Sequence, residues 1–323
     1  MAFPIGTYQL HGDPNFNYQF NRAVMLSGGS LADITEVSGR ITDMKSFISV
    51  MRLLADKALR ENREHHALAY IRTAEFFMNE SDPGKEKLYW EYKELFHKLN
   101  DATVRENGLI RLDIPFENGS LPVIYAQPEQ ERKRTILLHG GFDSYMEEFI
   151  PALIYLKQQG YSVYLFEGPG QGECIHKHHM TFTRDWHKPV GAVMDHFDLK
   201  DVTLIGISLG ALLALRAALD ARISRVVAWS VMSDFYEVML SDRPEPLRKL
   251  LAKLLDIRAK GMVDRIVGRV MRREPRVEWG IRHGMHVFGK ETPFEFLSEV
   301  RNYRLADIGP QITQDVLLLG AAE

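Results

Sequence analysis

Cysteine and long apolar runs are scarce in this sequence. One residue of 323, Cys174, is a cysteine, which excludes a disulfide within the chain and fits a reducing, cytoplasmic setting. No window approaches the roughly 18 uncharged apolar residues of a membrane-spanning helix, so no membrane segment is predicted. The first twenty residues lack the basic and apolar regions of a secretory signal peptide, and none is expected.

An excess of charge of one sign is also lacking. The formal net charge is −3, with 40 Lys and Arg against 43 Asp and Glu, so no global basic field would attract nucleic acid. Hydrophobic residues make up 45% of the chain, which is typical of a globular protein and excludes a disordered one. The length suggests about two domains, or one large α/β domain with additions.

The first third of the chain shows helical periodicity. Apolar residues recur at spacings of three and four between Asn15 and Asp101, and no stretch alternates with a period of two. The segment Ser81-Asp82-Pro83-Gly84 is typical of a helix stop followed by a turn. We therefore predict a helical N-terminal domain over residues 1–105, with four or five helices and no recognisable catalytic motif.

Residues 106–323 show the pattern of an α/β core. Leu109–Ile114 and Leu121–Ala126 flank a turn and predict an antiparallel hairpin. Short apolar runs separated by helical stretches then predict a mostly parallel, doubly wound sheet. These runs are Thr135–Leu138, Ser162–Phe166, Val202–Gly206, Arg225–Trp229 and Asp315–Leu319.

The segment 233–307 interrupts this rhythm and predicts a helical cap inserted between two strands. Residues 243–276 hold eleven Lys or Arg and four Asp or Glu. One interpretation is solvated helix faces, and the other is a basic wall over a pocket that favours an anionic or electron-rich substrate.

The sequence Gly206-Ile207-Ser208-Leu209-Gly210 carries the strongest chemical signal. It follows a predicted strand and precedes a helical run, which is the context of a nucleophile elbow. A sharp turn from strand to helix strains the backbone of the central residue, and small neighbours avoid clashes. We predict that Ser208 is a nucleophile at the positive end of a helix. The alternative is a serine N-cap in a non-catalytic protein.

A second motif, His139-Gly140-Gly141-Phe142, ends the Thr135–Leu138 run. Acyl transfer requires two N–H groups that face the developing oxyanion. We predict that Leu209 supplies one and that Gly141 or Phe142 supplies the other. His139 precedes the nucleophile in the chain and ends a strand, which favours a structural role.

A third motif, Glu167-Gly168-Pro169-Gly170-Gln171-Gly172-Glu173, follows the Ser162–Phe166 strand. Its glycine spacing differs from the phosphate-binding fingerprints, which favours a tight structural loop over nucleotide binding. The histidines His176, His178 and His179 lack a second ligand group at fixed spacing, so no metal site is predicted.

Together these three motifs resemble the α/β-hydrolase superfamily. The helical N-terminal domain, the glycine-rich loop and the cap are similar to the branch with 2,6-dihydroxypseudooxynicotine hydrolase, fungal polyketide-shortening hydrolases and fermentation-respiration-switch proteins. The resemblance covers about residues 43–323, and the segment Trp279–Gly289 takes part in it. It implies an α/β-hydrolase core whose cap lines the substrate pocket, and we expect Trp279, His283, His286 and Phe288 there.

The resemblance also implies a chain order of serine, acid and histidine. The acid should follow the Asp315–Leu319 strand, where Glu323 is the candidate. The alternative is an aspartate directly after Glu323, at a position that the sequence does not include. No histidine follows that strand, and the prediction is seven strands where the family has eight. The expectation is therefore a truncated chain without its catalytic base. His283 and His286 are the alternatives, although they precede the acid strand.

The predicted function is hydrolysis by a serine nucleophile. The resemblance implies cleavage of a C–C or ester bond next to a carbonyl in a small aryl or polyketide-like molecule. The alternatives are a serine peptidase of the acylaminoacyl or dipeptidyl type and a non-catalytic regulatory protein on a hydrolase scaffold. No cofactor, metal, nucleic-acid or membrane partner is expected. A homodimer is one assembly that the sequence allows.

Overall fold

The computed structural model describes residues 7–320, which divide into two compact units. Within the described residues, the first comprises residues 7–107 with Pro275–Arg282, and the second comprises residues 108–274 with residues 283–320. Five helices build the N-terminal part of the first unit, and aspartate or serine caps begin four of them. They are α1 Pro14–Met25, α2 Leu31–Ser38, α3 Met44–Arg60, α4 Glu64–Phe76 and α5 Pro83–Glu106.

An aromatic cluster fills the core of the helical unit. The Phe47 ring stacks on Phe16 and Phe20 at centroid distances of 5.3 and 5.2 Å and meets the Phe77 ring edge-on at 4.9 Å. These residues come from α1, α3 and the end of α4, so the apolar stripes seen in the sequence face one another. The helical N-terminal region is confirmed.

A seven-stranded sheet forms the second unit, with the strand order β1-β2-β4-β3-β5-β6-β7. The hairpin β1–β2 is antiparallel and joins β4, and the remaining neighbours all pair in parallel. The strands are β1 Ile110–Phe116, β2 Gly119–Ala126, β3 Thr135–His139, β4 Ser162–Phe166, β5 Val202–Ile207, β6 Ile223–Trp229 and β7 Asp315–Leu319. This mostly parallel sheet with helical crossovers confirms the predicted fold class.

Helical crossovers connect the parallel strands. Every residue of β3 and β4 is buried, because these central strands have neighbours on both sides, and this explains their uninterrupted apolar sequences. The connecting helices are α6 Ile150–Gln158, α7 Gly172–His176, α8 His187–His196 and α9 Leu209–Ala217, and a short 3-10 helix, Met146–Phe149, precedes α6.

Between β6 and β7 the chain forms helices joined by turns, and an isolated bridge joins the two ends of the insertion. Asp234 and Arg304 form this antiparallel bridge, with the Phe235 N–H donating to the Tyr303 carbonyl oxygen at 2.9 Å. The helices are α10 Phe235–Met239, α11 Glu245–Asp256, α12 Lys260–Met271, α13 Pro275–Val287 and α14 Pro293–Val300. A 3-10 turn, Gly309–Gln311, leads into β7.

Over residues 7–320, no helix combines the length and the apolar character that crossing a membrane requires.

Candidate active site

Ser208 occupies the single residue between β5 and α9. Its backbone has φ 60° and ψ −126°, a conformation that costs a non-glycine residue about 1–3 kcal/mol. The Ser208 N–H donates to the Trp229 carbonyl oxygen at 2.9 Å, and the Ser208 carbonyl oxygen accepts from the Ala211 N–H at 2.9 Å. Contacts to β6 and to α9 thus hold the strained turn from both sides.

The glycines around Ser208 are required by close backbone contacts. A Cβ on Gly206 would lie 2.0 Å from the Gly210 carbonyl oxygen, and a Cβ on Gly210 would lie 2.3 Å from the Gly140 carbonyl oxygen. A Cβ on Gly141 would lie 2.6 Å from the Ile207 oxygen and 3.0 Å from the Ser208 Cβ. The glycine pair of the 139–142 motif therefore lies directly against the elbow that carries Ser208.

Two of the predicted oxyanion donors differ in their hydrogen bonding. Leu209 is the first residue of α9, so its N–H has no partner within the helix, and its side chain is fully buried. The Gly141 N–H instead donates to Ser144 Oγ at 3.0 Å. Phe142, which follows Gly141, accepts a hydrogen bond on its carbonyl oxygen from His283 Nε2 at 3.0 Å.

His139 is buried beneath this loop and makes two hydrogen bonds. The Trp186 indole N–H, which can only donate, donates to His139 Nε2 at 3.2 Å. The proton of the neutral ring must then reside on Nδ1, which donates to the Gly140 carbonyl oxygen at 3.0 Å. Burial lowers the pKa of His139 to about 4, so the imidazole stays neutral and acts on the backbone of the loop.

The glycine-rich segment 167–173 packs beside the same loop. Gln171 Nε2 donates to the carbonyl oxygens of both Gly140 and Gly141, at 2.9 and 3.0 Å. The Glu167 carboxylate accepts from the N–H groups of Met146 and Glu173, both at 3.0 Å. The sequence marks this segment as a tight loop, but its two side-chain anchors are tertiary contacts between separate loops and could not be found from spacing.

The predicted pocket residues lie in different surroundings. The His283 ring meets the Phe142 ring edge-on at a centroid distance of 4.7 Å, and the His286 ring lies 6.2 Å from the His176 ring. Phe288 is buried at 2% exposure, with the rings of Phe182 and Tyr303 each 5.0 Å away.

Trp279 belongs to the helical unit, where its ring stacks on Phe76 at 4.7 Å. Glu323 lies outside the described residues.

Among the described residues, the Ser208 hydroxyl has no hydrogen bond to an imidazole. Burial raises the pKa of the Cys174 thiol well above its usual value, with nearby Glu167 and Glu173 adding to the effect, so this thiol is a poor nucleophile. No group of three or more potential metal ligands clusters within residues 7–320.

The basic residues of the cap are partly neutralised by ion pairs. Arg243 contacts Glu274 at 2.8 Å, and Lys260 contacts Glu295 at 2.7 Å. A cavity of about 570 Å³ in the cap is lined by eight residues, four of them basic: Arg258, Lys260, Arg301 and Arg304. Ser208 is not among the lining residues of this cavity.

Comparison with known families agrees with this geometry. Residues 135–319, from the start of β3 to the end of β7, match the model of the alpha/beta hydrolase family. The chain belongs to this family. The matched region contains Ser208, the 139–142 loop, the glycine-rich segment and the cap helices.

The chain is also similar to curated fungal hydrolases. It is 30% identical to hydrolase ORFZ of Pyricularia oryzae, over 83% of this chain and 66% of that protein. Identity to hydrolase acrC of Aspergillus aculeatus is 28%, over 79% of this chain and 65% of that protein. The chain thus spans just under two thirds of the length of these two relatives. It is 27% identical to 20-hydroxy-prefusarin hydrolase FUS2 of Gibberella moniliformis, over 95% of this chain and 82% of that protein.

Solved structures share the fold. The 2,6-dihydroxy-pseudo-oxynicotine hydrolase superposes with a TM-score of 0.62 at 19% identity, covering 92% of this chain and 79% of that one. The protein AbyA5 superposes with a TM-score of 0.66 at 17% identity, covering 96% and 88%. The predicted resemblance to this branch of the α/β hydrolases is confirmed.

Proposed function

We propose that this protein is a hydrolase in which Ser208 attacks a carbonyl carbon of a small organic substrate. The observation that carries the proposal is the strained backbone of Ser208, with φ 60°, held between β5 and α9. Backbone strain of this kind persists where the surrounding structure enforces it. A turn of this kind exposes the serine hydroxyl beside the N-terminus of the following helix. In an alpha/beta hydrolase this is the position of the nucleophile.

In the proposed reaction Ser208 Oγ bonds to the substrate carbonyl carbon, and the carbonyl oxygen becomes an oxyanion. The Leu209 N–H and an N–H of Gly141 or Phe142 donate to that oxyanion. The base takes the proton of Ser208 as the bond forms. Collapse of the intermediate expels the leaving group, which takes up that proton, and water then hydrolyses the acyl-enzyme to a carboxylic acid and free Ser208. The family order places the acid after β7, with Glu323 as the candidate, and a histidine base after the acid. Within this chain the candidates for the base are His283 and His286.

We further propose that the cleaved bond is a C–C or ester bond next to a carbonyl in an aryl or polyketide-like molecule. Aromatic rings beside the oxyanion loop support an apolar, planar substrate: Phe142 lies 5.5 Å from the Phe235 ring and 4.7 Å from the His283 ring. The name of the relative FUS2, a 20-hydroxy-prefusarin hydrolase, supports a small organic substrate. The single, buried cysteine supports a cytoplasmic setting.

The test is covalent labelling of the full-length protein, with the acid and the histidine of the family order, by a fluorophosphonate probe, followed by mapping of the modified peptide. We expect label on Ser208 and none in Ser208→Ala. Ser224→Ala is the matched control, because Ser224 Oγ binds Asp201 at the opposite end of the sheet, and it should label like the parent. Equal labelling of Ser208→Ala and the parent would refute the proposal. Hydrolysis of p-nitrophenyl esters and of aryl 1,3-diketones then distinguishes ester from C–C cleavage.

A further inference from the structure

We propose that Gln171 is a positioning residue of the oxyanion hole and that it selects the Phe142 N–H as the second donor. The inference rests on the proposed function of Ser208. It concerns a residue of the glycine-rich segment that touches neither Ser208 nor the oxyanion, and it decides between the two donors, Gly141 and Phe142, that the sequence leaves open.

The Gln171 side chain is held in one orientation. Its Oε1 accepts from the Gly168 N–H at 2.9 Å, which directs Nε2 to the opposite side, where it donates to the carbonyl oxygens of Gly140 and Gly141 at 2.9 and 3.0 Å. Both protons of the amide are thereby used. The side chain is 3% exposed, so water cannot readily replace these bonds if the amide is lost.

Because the peptide group is planar, the direction of each carbonyl oxygen also fixes the direction of the N–H group of the next residue. In a trans peptide the C=O and the following N–H point to opposite sides, and no cis peptide occurs among the described residues. A Gly141 carbonyl oxygen directed at Gln171 therefore directs the Phe142 N–H away from Gln171. Gly141 lies against Ser208 and Leu209, which places the Phe142 peptide next to the nucleophile.

The preceding peptide is oriented in the same way, but its N–H is already used. The Gly140 carbonyl oxygen accepts from Gln171 and from His139 Nδ1, and the Gly141 N–H donates to Ser144 Oγ at 3.0 Å. A donor engaged by a serine oxygen would have to break that bond to serve an oxyanion. This bond counts against Gly141 as the second donor, so the Phe142 choice rests on the orientation that Gln171 gives to the following peptide.

The peptide after Phe142 is held by a side chain of the cap. His283 Nε2 donates to the Phe142 carbonyl oxygen at 3.0 Å, so three successive carbonyls, at 140, 141 and 142, accept hydrogen bonds from side chains. This leaves the loop little freedom to rotate its peptides. Preorganised donors of this kind need no reorganisation when negative charge develops.

The test compares Gln171→Met, which keeps the length of the side chain, and Gln171→Glu, which replaces the donor by a carboxylate that repels both carbonyls. Gln127→Met and Gln127→Glu are the matched controls. Gln127 is also hydrogen-bonded on the same sheet, through Tyr164 and Ser162, but it lies at the opposite end of β4 from the glycine-rich segment. The readouts are the second-order rate constant of fluorophosphonate labelling at Ser208, and kcat and KM for p-nitrophenyl butyrate.

We expect labelling and kcat to fall about ten- to a hundred-fold in both Gln171 variants, with KM within about two-fold of the parent value, because only transition-state stabilisation is lost. Rates are normalised to the folded fraction from circular dichroism, so a loss of stability alone does not mimic the effect. Both Gln127 variants should stay within about two-fold of the parent rates.

A second measurement separates the two donors. In protein labelled with ¹⁵N-Phe and ¹⁵N-Gly, phosphonylation of Ser208 should shift the amide proton of Phe142 downfield, and Phe142→Leu assigns that resonance. A downfield shift at Gly141 instead would overturn the assignment of the donor. Parent-like labelling rates in the Gln171 variants would overturn the role of Gln171. Absence of label on Ser208 in the parent would refute the proposed function itself.

Discussion

At the scale of single residues, His139 shows how burial prevents an imidazole from acting as a catalytic base. The ring is fully buried, and its two nitrogens are used by the Trp186 indole N–H and the Gly140 carbonyl oxygen. Protonation would place a second N–H where the indole N–H already donates and would leave a charge without water. Both effects oppose the charged form, so the ring can hold the loop but cannot accept a proton from Ser208.

The depressed pKa of His139 predicts a loss of stability in acid. The unfolded chain binds a proton near pH 6.5 and the folded chain near pH 4, so the free energy of unfolding falls as pH decreases through this window. Between pH 7 and pH 4.5 the expected loss from this group is about 2 kcal/mol. Urea unfolding at both pH values measures it.

Removal of the titrating ring isolates this effect. His139→Gln keeps a donor and an acceptor without titrating, and its stability should fall by about 2 kcal/mol less than that of the parent over the same pH range. His196→Gln, at an exposed position on α8, is the matched control for the loss of an imidazole, and the effect of His139→Gln is read as the difference between the two variants. Identical pH dependence in the parent and His139→Gln would contradict the argument.

At the scale of secondary-structure elements, burial decides how much the sequence could predict. Strands β3 and β4 are buried on both faces, so continuous apolar runs such as Ser162–Phe166 mark them and their bounds are predicted within one residue. The elbow is partly a local feature, because Gly206 lies against Gly210, although Gly210 also lies against the distant Gly140. Gln171 instead acts through contacts with a separate loop, at Gly140 and Gly141, and no spacing in the sequence records these contacts.

The packing partners of Trp279 on helix α13 also could not be predicted from spacing, and its place in the substrate pocket stays a prediction. The periodicity of the sequence predicts that this residue lies on a helix. The resemblance to the hydrolase branch predicts that it lines the substrate pocket. The structure packs its ring on Phe76 at 4.7 Å and edge-on to Phe77 at 5.9 Å, and its indole N–H donates to the Phe76 carbonyl oxygen at 2.7 Å. Helical spacing gives the face that a residue occupies but does not name the partner of that face.

These contacts predict that Trp279 stabilises the helical unit. Trp279→Ala should lower the free energy of unfolding by about 2 kcal/mol, less than the loss at a fully buried tryptophan because the ring is half-buried. Trp279→Phe keeps the stacking and should lose about 1 kcal/mol with the N–H donor. Trp229→Ala, at a side chain 56% exposed, is the control and should change stability by less than about 0.5 kcal/mol. Equal losses at positions 279 and 229 would contradict the packing argument.

At the scale of the whole molecule, the two edges of the sheet differ in character. The edge strand β1 carries Arg111, Asp113 and Pro115, the charges and proline that discourage pairing with another chain. The other edge strand, β7, pairs only with β6 among the described residues. Its side chains Val316, Leu317 and Leu318 are 40, 54 and 55% exposed, and Asp315 is its single charge. An apolar edge with a single charge is a template for association.

We therefore expect β7 to limit the concentration at which this chain stays monodisperse. Leu317→Lys places a charge on the free edge and should slow the rise of light scattering in concentrated samples several-fold, with stability changed by less than about 0.5 kcal/mol since the side chain is exposed. Ile257→Lys is the matched control, because Ile257 is 64% exposed but follows helix α11 rather than lying on a strand edge. If both variants slowed association equally, exposed apolar area in general, and not the edge of strand β7, would cause the self-association. If neither did, β7 would not be the site of self-association.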